Sequence, residues 1–382
     1  MKVLIIGGGG FIGSATAEAL CAGGHEVTIA DIFDPQIHGA EYRGTPAYQH
    51  LESIAKIHVA DVRDSAAIGR LMPETEAVYF FAAGTGTGQS MYQIQRYCDV
   101  NAMGAAVFAE LLPPHRDHLR KVVVSSSRAV YGEGAYRCAE HGRVFPSARP
   151  AESMRAGVWE PRCPVCAGDV APLDSLESDG PFPTSIYGTT KLAQEQILLQ
   201  TCASLGIPLV AFRYQNVFGP GQALRNPYTG ILAIFTQLLI RGDEVNVFED
   251  GLATRDFVHI ADIVRCNVRA LELEDSPPRV LNIGSGIRTT LLEVVHALAA
   301  ALGVEARFRV SGDFRAGDIR HACADLTALT AQLGVQEFIP LADGVRGLVE
   351  WVREQSGGGL AGDAYRQSLD EMRRAGLLGG RG

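Results

Sequence analysis

The chain has 382 residues, enough for a large core and for more than one domain. A formal net charge of −9 argues against a non-specific nucleic-acid or anionic-membrane binder, since both need basic surfaces. No run reaches roughly 18 apolar residues, and Lys2 leads straight into VLIIGG without a signal-peptide pattern. The expected setting is the cytoplasm, where the eight cysteines serve as thiols or metal ligands rather than disulfides.

Along the chain, VLIIG (3–7), VTIAD (27–31), IHVAD (57–61), AVYFFAA (77–83) and KVVVSSS (121–127) read as strands. They are continuously apolar, as in a parallel sheet covered on both faces. The segments between carry helical spacing, as in Ile12, Ala15, Ala17 and Leu20. Strand–helix alternation of this kind predicts an α/β fold with a doubly wound parallel Rossmann sheet. A further strand, IPLVAFR (207–213), follows a helix built on KLAQEQILLQTCA. From about residue 214 the pattern is mixed, with helices near 230–241, 261–272 and 290–302, which predicts a smaller mixed α/β substrate domain. GGGLAG (357–362) reads as a linker before a docked helix on DAYRQSLDEMRRAGLL. The expected division is therefore 1–132 and 171–215 (with parts of 255–280) for the nucleotide domain and 133–170 for an insertion. Residues 216–254 and 281–354 form the substrate domain, and 355–382 the tail.

Gly7, Gly10 and Gly13 form GxxGxxG directly after the first strand and before a helix opened by Phe11 and Ile12. Glycines let the backbone approach a pyrophosphate, and the helix N-terminus offers free N–H groups. Asp31 ends the next strand, placed to accept from adenosine ribose hydroxyls and to repel a 2′-phosphate, so NAD is expected over NADP. Asp61 and Val62 are placed for an adenine contact, with a helix cap as the other role open to Asp61. Ala82, after the fourth strand, joins the expected cofactor contacts.

Tyr187 and Lys191 lie four apart in YGTTK, on one face of a helix. An ammonium nearby would favour phenolate and lower the tyrosine pKa. A Rossmann start, then SSSRAVYG, then YxxxK is the layout of the extended short-chain dehydrogenase/reductase family, which this chain resembles over nearly its whole length. NVFGPGQ (216–222), RDFVHIAD (255–262), LNIGSG (281–286) and RAGDIRHACAD (315–325) belong to the same resemblance. It implies Ser127 hydrogen-bonded to the reacting sugar hydroxyl, Tyr187 as base and Lys191 on the nicotinamide ribose. Ser125 and Ser126 are expected to satisfy backbone groups. Asn216, Arg255, Arg315 and Asp318 are expected to face a nucleoside-diphosphate sugar, where two arginines can clamp a pyrophosphate with forked bonds. The alternative for Arg255 is a structural ion pair with Asp256. The family also implies a homodimer.

The two residues after Ser127 discriminate reactions within the family. Dehydratases carry an Asp-Glu pair there and decarboxylases a glutamate; here stand Arg128 and Ala129. What remains is NAD-dependent 4-epimerisation, or a simple oxidation or reduction. The stretch 226–251, the cysteine insertion and the tail most resemble bacterial dTDP-L-rhamnose 4-epimerases, which implies a dTDP-sugar. A UDP-hexose 4-epimerase, a 4-ketoreductase and a non-catalytic NAD-binding scaffold are the alternatives.

Cys138 and His141 are spaced C-x2-H, and Cys163 and Cys166 C-x2-C. Four N/S ligands in two knuckles suit a closed structural zinc site, with a Cys163–Cys166 disulfide as the alternative. Such a clip lies between Ser127 and Tyr187 in sequence and is expected to hold a flap near the substrate mouth. Cys21, Cys98, Cys202 and Cys266 fall in helical patterns and are expected to be buried. Cys323 has no ligand spacing.

Overall fold

The computed structural model describes residues 1–380 except 225, 227, 229, 274–276 and 356–361, with backbone alone at 362–364. The linker expected at 357–362 falls, but for Gly362, outside the described residues. Five strands come first: β1 (Lys2–Ile6), β2 (Glu26–Asp31), β3 (Lys56–Val59), β4 (Ala77–Phe80) and β5 (Lys121–Ser127). Three short ones follow, β6 (Tyr136–Cys138), β7 (Gly142–Val144) and β8 (Val170–Pro172). Then come β9 (Leu209–Tyr214), β10 (Asn216–Phe218), β11 (Val245–Val247), β12 (Thr254–His259), β13 (Arg279–Ile283) and β14 (Arg288–Thr290). The last are β15 (Phe308–Val310), β16 (Phe314–Arg315) and β17 (Leu378–Gly379).

The main sheet has the order β13-β9-β5-β4-β1-β2-β3, and every pair is parallel. The strand order reverses between β1 and β4, so a crevice opens at their carboxyl ends, where such sheets bind ligands. β5 is buried at all seven positions, as its apolar run demands between two helical layers. One layer packs on Ile5, Val123 and Phe212; the other packs on Leu4, Val122 and Val124. β3 departs from the expectation of a strand covered on both faces: Lys56, His58 and Val59 are exposed. It lies at the sheet edge, where no further strand covers it.

A separate core gathers Phe235, Leu239, Leu298, Val349 and Leu369 from the helices Ile231–Ile240, Leu291–Leu302, Leu341–Gln355 and Gly362–Arg374. The substrate-side unit differs from the expected 281–354. Residues 281–283 belong to β13 of the main sheet, and Leu329, Leu333 and Val335 pack into the sheet's own core. Their apolar faces find the sheet nearer than the second core. β6, β7 and β8 form an antiparallel sheet of their own around Tyr136, Cys138, Val144 and Cys163.

Cys202 and Cys266 are buried and Cys21 partly so, but Cys98 is exposed. It sits on the outer side of the π-helical turn Cys98–Met103, whose inward residue is Asn101. Cys323 is buried with its thiol 3.8 Å from Asp256. Among the described residues no helix is long and apolar enough to cross a membrane.

Candidate active site

At the switch point the chain turns out of β1 through Gly7, which has φ of +88°. A Cβ on Gly7 would sit 2.4 Å from the Ala82 nitrogen, and one on Gly13 would sit 2.3 Å from the Gly7 carbonyl. Both glycines are therefore required by the protein itself. Gly10 differs: a Cβ there would meet only the Gly7 carbonyl, at 3.6 Å. Its bareness keeps room for something outside the protein. The helix Phe11–Ala22 starts at Gly10 with no side chain capping its N–H groups, an end suited to an anion.

Asp31 accepts from the backbone N–H of Gly9 (2.9 Å) and of Phe33 (2.7 Å), which fixes its carboxylate at the end of β2. Asp61 pairs with Arg63, and the cap of the following helix is Asp64, which accepts from the Ala67 N–H at 2.9 Å. Gly7, Gly10, Gly13, Asp31 and Asp61, with Phe11, Ile12, Val62 and Ala82, line one cavity of about 680 Å³. Bare glycine backbone, an open helix end and a fixed carboxylate fit the pyrophosphate and ribose of a dinucleotide.

The same cavity is lined further in by Ser127, Tyr187 and Lys191. Ser127 is the last residue of β5. Tyr187 is in the first turn of the helix Ile186–Leu205, capped by Ser185, whose hydroxyl accepts from the Gly188 N–H at 3.1 Å. A Cβ on Gly188 would lie 2.5 Å from the Ala129 carbonyl, so this glycine lets the helix start abut the end of β5. Burial raises the Tyr187 hydroxyl, while the Ser127 hydrogen bond and the Arg128 charge pull it back down.

Lys191 does not take the expected part beside Tyr187. Its ammonium donates to Ser125 Oγ at 3.3 Å and to Gln194 Oε1, and Gln194 in turn donates to the Ala82 carbonyl at 3.1 Å. Burial pushes the ammonium down to about 7, against the pull of Glu195. The Arg128 charge, by contrast, does favour the ionised Tyr187 hydroxyl. Ser126 likewise departs from expectation, since its hydroxyl donates at 2.5 Å to the Glu195 side chain, itself forked onto Arg213.

The opposite wall carries Asn216, Arg255, Arg315 and Asp318. Arg255 pairs with Asp318 at 2.9 Å, not with Asp256. Asp256 instead accepts from the N–H groups of Ser285, Gly286 and Ala324. Burial alone would raise Asp318, but Arg255, Arg315 and Arg128 outweigh it and hold the carboxyl down to about 2. Three arginines thus face one aspartate, leaving the wall electropositive. The Arg315 guanidinium stacks over Phe248 at 5.2 Å, and its buried Nε has no partner among the described residues. Buried side-chain oxygens of Gln215, Gln222 and Asn246, all on the cavity wall, are also unpaired. Such orphans cost free energy unless a ligand meets them.

Sequence reasoning missed four features of this wall. Arg128 was read only as an absent acid. Gln222 closes the NVFGPGQ run without a role of its own being assigned to it, and Asn246 carries no motif. Tyr365 and Met372 bring the C-terminal helix onto the cavity, held by Glu371 against Tyr228 (2.5 Å) and Tyr92 (3.0 Å). No periodicity could reveal that cover.

Cys138, Cys163, Cys166 and His141 converge, with one ligand atom from each lying within 4.8 Å of the others. Cys138 Sγ is 3.5 Å from His141 Nδ1 and 3.7 Å from Cys166 Sγ, and Cys163 Sγ is 3.8 Å from the same nitrogen. Tetrahedral zinc with Zn–S of about 2.3 Å places its ligands roughly 3.8 Å apart, so the set fits. Hydrogen bonding to His141 draws the Cys138 thiol down to about 6. No residue of 133–182 lines the cavity, which corrects the expectation of a flap at the substrate mouth. Cys138 and Cys163 turn inward on a small core of their own, while His141 and Cys166 are exposed.

A parallel nucleotide-binding sheet, a glycine turn and a Ser–Tyr–Lys set in one cavity define an α/β dinucleotide enzyme. The chain belongs to the NAD dependent epimerase/dehydratase family, whose profile matches residues 3–150 and 165–284. It is 36% identical over 356 residues to a dTDP-L-rhamnose 4-epimerase of Burkholderia thailandensis, covering 93% of this chain and 95% of that protein. A UDP-glucose 4-epimerase of Neisseria meningitidis is 28% identical, covering 94% and 98%. Among solved structures, a UDP-glucose 4-epimerase of Thermotoga maritima with UDP-glucose superposes with a TM-score of 0.74 at 27% identity, covering 93% and 100%. A UDP-glucuronic acid 4-epimerase of Bacillus cereus with its sugar nucleotide and NAD gives 0.74 at 25%, with the same coverage.

Proposed function

We propose that the protein is an NAD-dependent 4-epimerase of a nucleoside-diphosphate sugar, acting on dTDP-L-rhamnose to give dTDP-6-deoxy-L-talose. The observation that carries the reaction type is a base, its serine and an electropositive wall around one cavity, with no carboxylate at 128–129. Elimination and decarboxylation chemistry lacks its acid. The relative named above supports the choice of sugar.

NAD, when bound at Gly7–Gly13 and Asp31, supplies reversible hydride transfer at the sugar C4. Tyr187 takes the proton from the 4-hydroxyl and later returns it. Ser127 hydrogen-bonds the same oxygen and fixes its approach. Arg255 and Arg315 grip the diphosphate, so the 4-keto sugar can turn about its linkage while the nucleotide stays anchored. Arg128 favours the phenolate of Tyr187 by its charge.

An NMR assay tests this: protein incubated with dTDP-L-rhamnose, with no added reductant, yields the talose epimer. Conversion of UDP-galactose to UDP-glucose with no turnover of the dTDP-sugar would transfer the assignment to a UDP-hexose.

Cys138, His141, Cys163 and Cys166 hold one structural zinc, leaving no position open for substrate. Elemental analysis of protein purified without chelator is expected to find about one zinc per chain, and finding none refutes the site. Exposed Ile94 and Met103 on the helical run beside Ile186–Leu205 support a homodimer.

A further inference from the structure

The insertion misses the cavity, yet its side chains grip the strip of chain that forms the cavity's electropositive wall. That strip, 314–321, carries Arg315 and Asp318. Arg149 is buried behind it. Its guanidinium donates to the Asp318 carbonyl at 3.1 Å and to the Trp159 carbonyl at 3.0 Å, and forks onto Glu249 at 2.8 and 2.9 Å. Its Nε lies 3.7 Å from Glu133. Glu133 also accepts from the Arg320 backbone N–H at 2.7 Å. Glu160 accepts from Arg320 Nε at 2.7 Å and meets His321 at 3.1 Å. Arg320 completes its fork on Asp250 at 2.7 and 2.8 Å, and Trp159 packs edge-on to Phe314.

The inner side of the same strip sets Arg255. Its guanidinium is aimed by the Arg320 carbonyl (3.1 Å), the Ile319 carbonyl (2.9 Å), the Thr254 carbonyl (2.9 Å) and the Asp318 carboxylate (2.9 Å). Three of these four acceptors belong to the segment whose back is pinned by the insertion. A cation oriented by main-chain carbonyls moves when that main chain moves, and forked recognition tolerates little misplacement.

We propose that Arg149 and Glu160 are positioning residues: the insertion is a brace that sets the register of the arginine clamp, and so the affinity for the nucleoside diphosphate. This rests on reading Arg255 and Arg315 as the diphosphate clamp. It gives the insertion a part in substrate affinity without any contact to substrate, and it separates affinity from chemistry. Ser127, Tyr187 and Lys191 sit on β5 and its neighbouring helix, and among the described residues their side chains make no hydrogen bond to Arg149 or Glu160.

The test uses the NAD-loaded full chain with Glu160→Gln and Arg149→Lys. Glu160 is half exposed, so its amide variant keeps the fold even where the buried lysine variant does not. Titration with dTDP and with UDP is expected to give about tenfold weaker binding, and KM for the sugar nucleotide to rise alike, as for a lost charge-assisted contact. The kcat and bound NAD stay at the wild-type level. Loss of thermal stability with unchanged diphosphate affinity and KM would overturn the proposal. Arg255→Met separates the underlying reading: if it binds both diphosphates as wild type does, the clamp itself is misassigned.

Discussion

Lys191 is a buried cation whose acceptors among the described residues are one serine and one glutamine, and burial holds its ammonium near 7. In the unfolded chain the same group titrates near 10.5. Below about pH 7 both states carry the proton, and the folded state bears the full cost of burying the charge. Between about 7 and 10.5 the unfolded chain holds a proton that the folded chain has released, so stability rises with pH across this window. The slope is at most about 1.4 kcal/mol per pH unit. For 382 residues at ~2.1 cal/mol/K each, that is roughly 2 °C of melting temperature per pH unit. The perturbation is Lys191→Met, and the assay is thermal unfolding of NAD-stripped protein at pH 7, 8 and 9. Wild type is expected to gain melting temperature relative to the variant with each step. Added NAD flattens the difference, because ribose hydroxyls favour the charged ammonium. Parallel wild-type and variant curves across pH 7–9 would refute the reasoning, whatever the activities.

Four other outcomes follow from the site. Tyr187→Phe is expected to lose about 10²–10⁴ in kcat while retaining NAD, read by turnover and by the absorbance of released cofactor. Arg128→Gln removes the cation that favours phenolate, so the acid limb of the kcat–pH profile moves to higher pH; Arg128→Lys restores most of it. Gly188→Ala places a Cβ 2.5 Å from the Ala129 carbonyl, and denaturant unfolding is expected to register a loss of about 1–3 kcal/mol. Chelation of the proposed zinc is expected to lower the melting temperature and raise KM for the sugar nucleotide, leaving bound NAD unchanged.

Six of the main sheet's seven strands were legible as local apolar runs, and β5 matches its sequence run residue for residue, whereas β13 was hidden in a stretch assigned to the substrate domain. β3 was legible as a strand but not as an edge, since edge position depends on the order of other strands. The catalytic side chains could be picked out from spacing, yet their electrostatics could not. Four residues along a helix suggested that Lys191 would serve Tyr187, whereas packing turns the ammonium to Ser125 and Gln194 and leaves Arg128 as the neighbouring charge. Cys98 carried a helical pattern, but the pattern does not say which face of that turn meets solvent. The contacts least visible in sequence are the long ones. Arg149 to Asp318 and Glu160 to Arg320 join residues 169 and 160 positions apart, and no local motif marks either end.

The pairing of Phe314–Arg315 with Leu378–Gly379 bears on how the protein is made. The strands of the dinucleotide sheet are complete in sequence at Ile283 and its buried core at Val335, so it can assemble on the emerging chain before the tail is made. The substrate wall cannot, because β16 waits for β17, and Tyr365 and Met372 arrive only with the helix before it. A chain stopped short of residue 362 would be a cofactor-binding protein with an unfinished substrate wall, so a ribosome stalled late in translation carries a nascent chain able to capture NAD before it can act on a sugar.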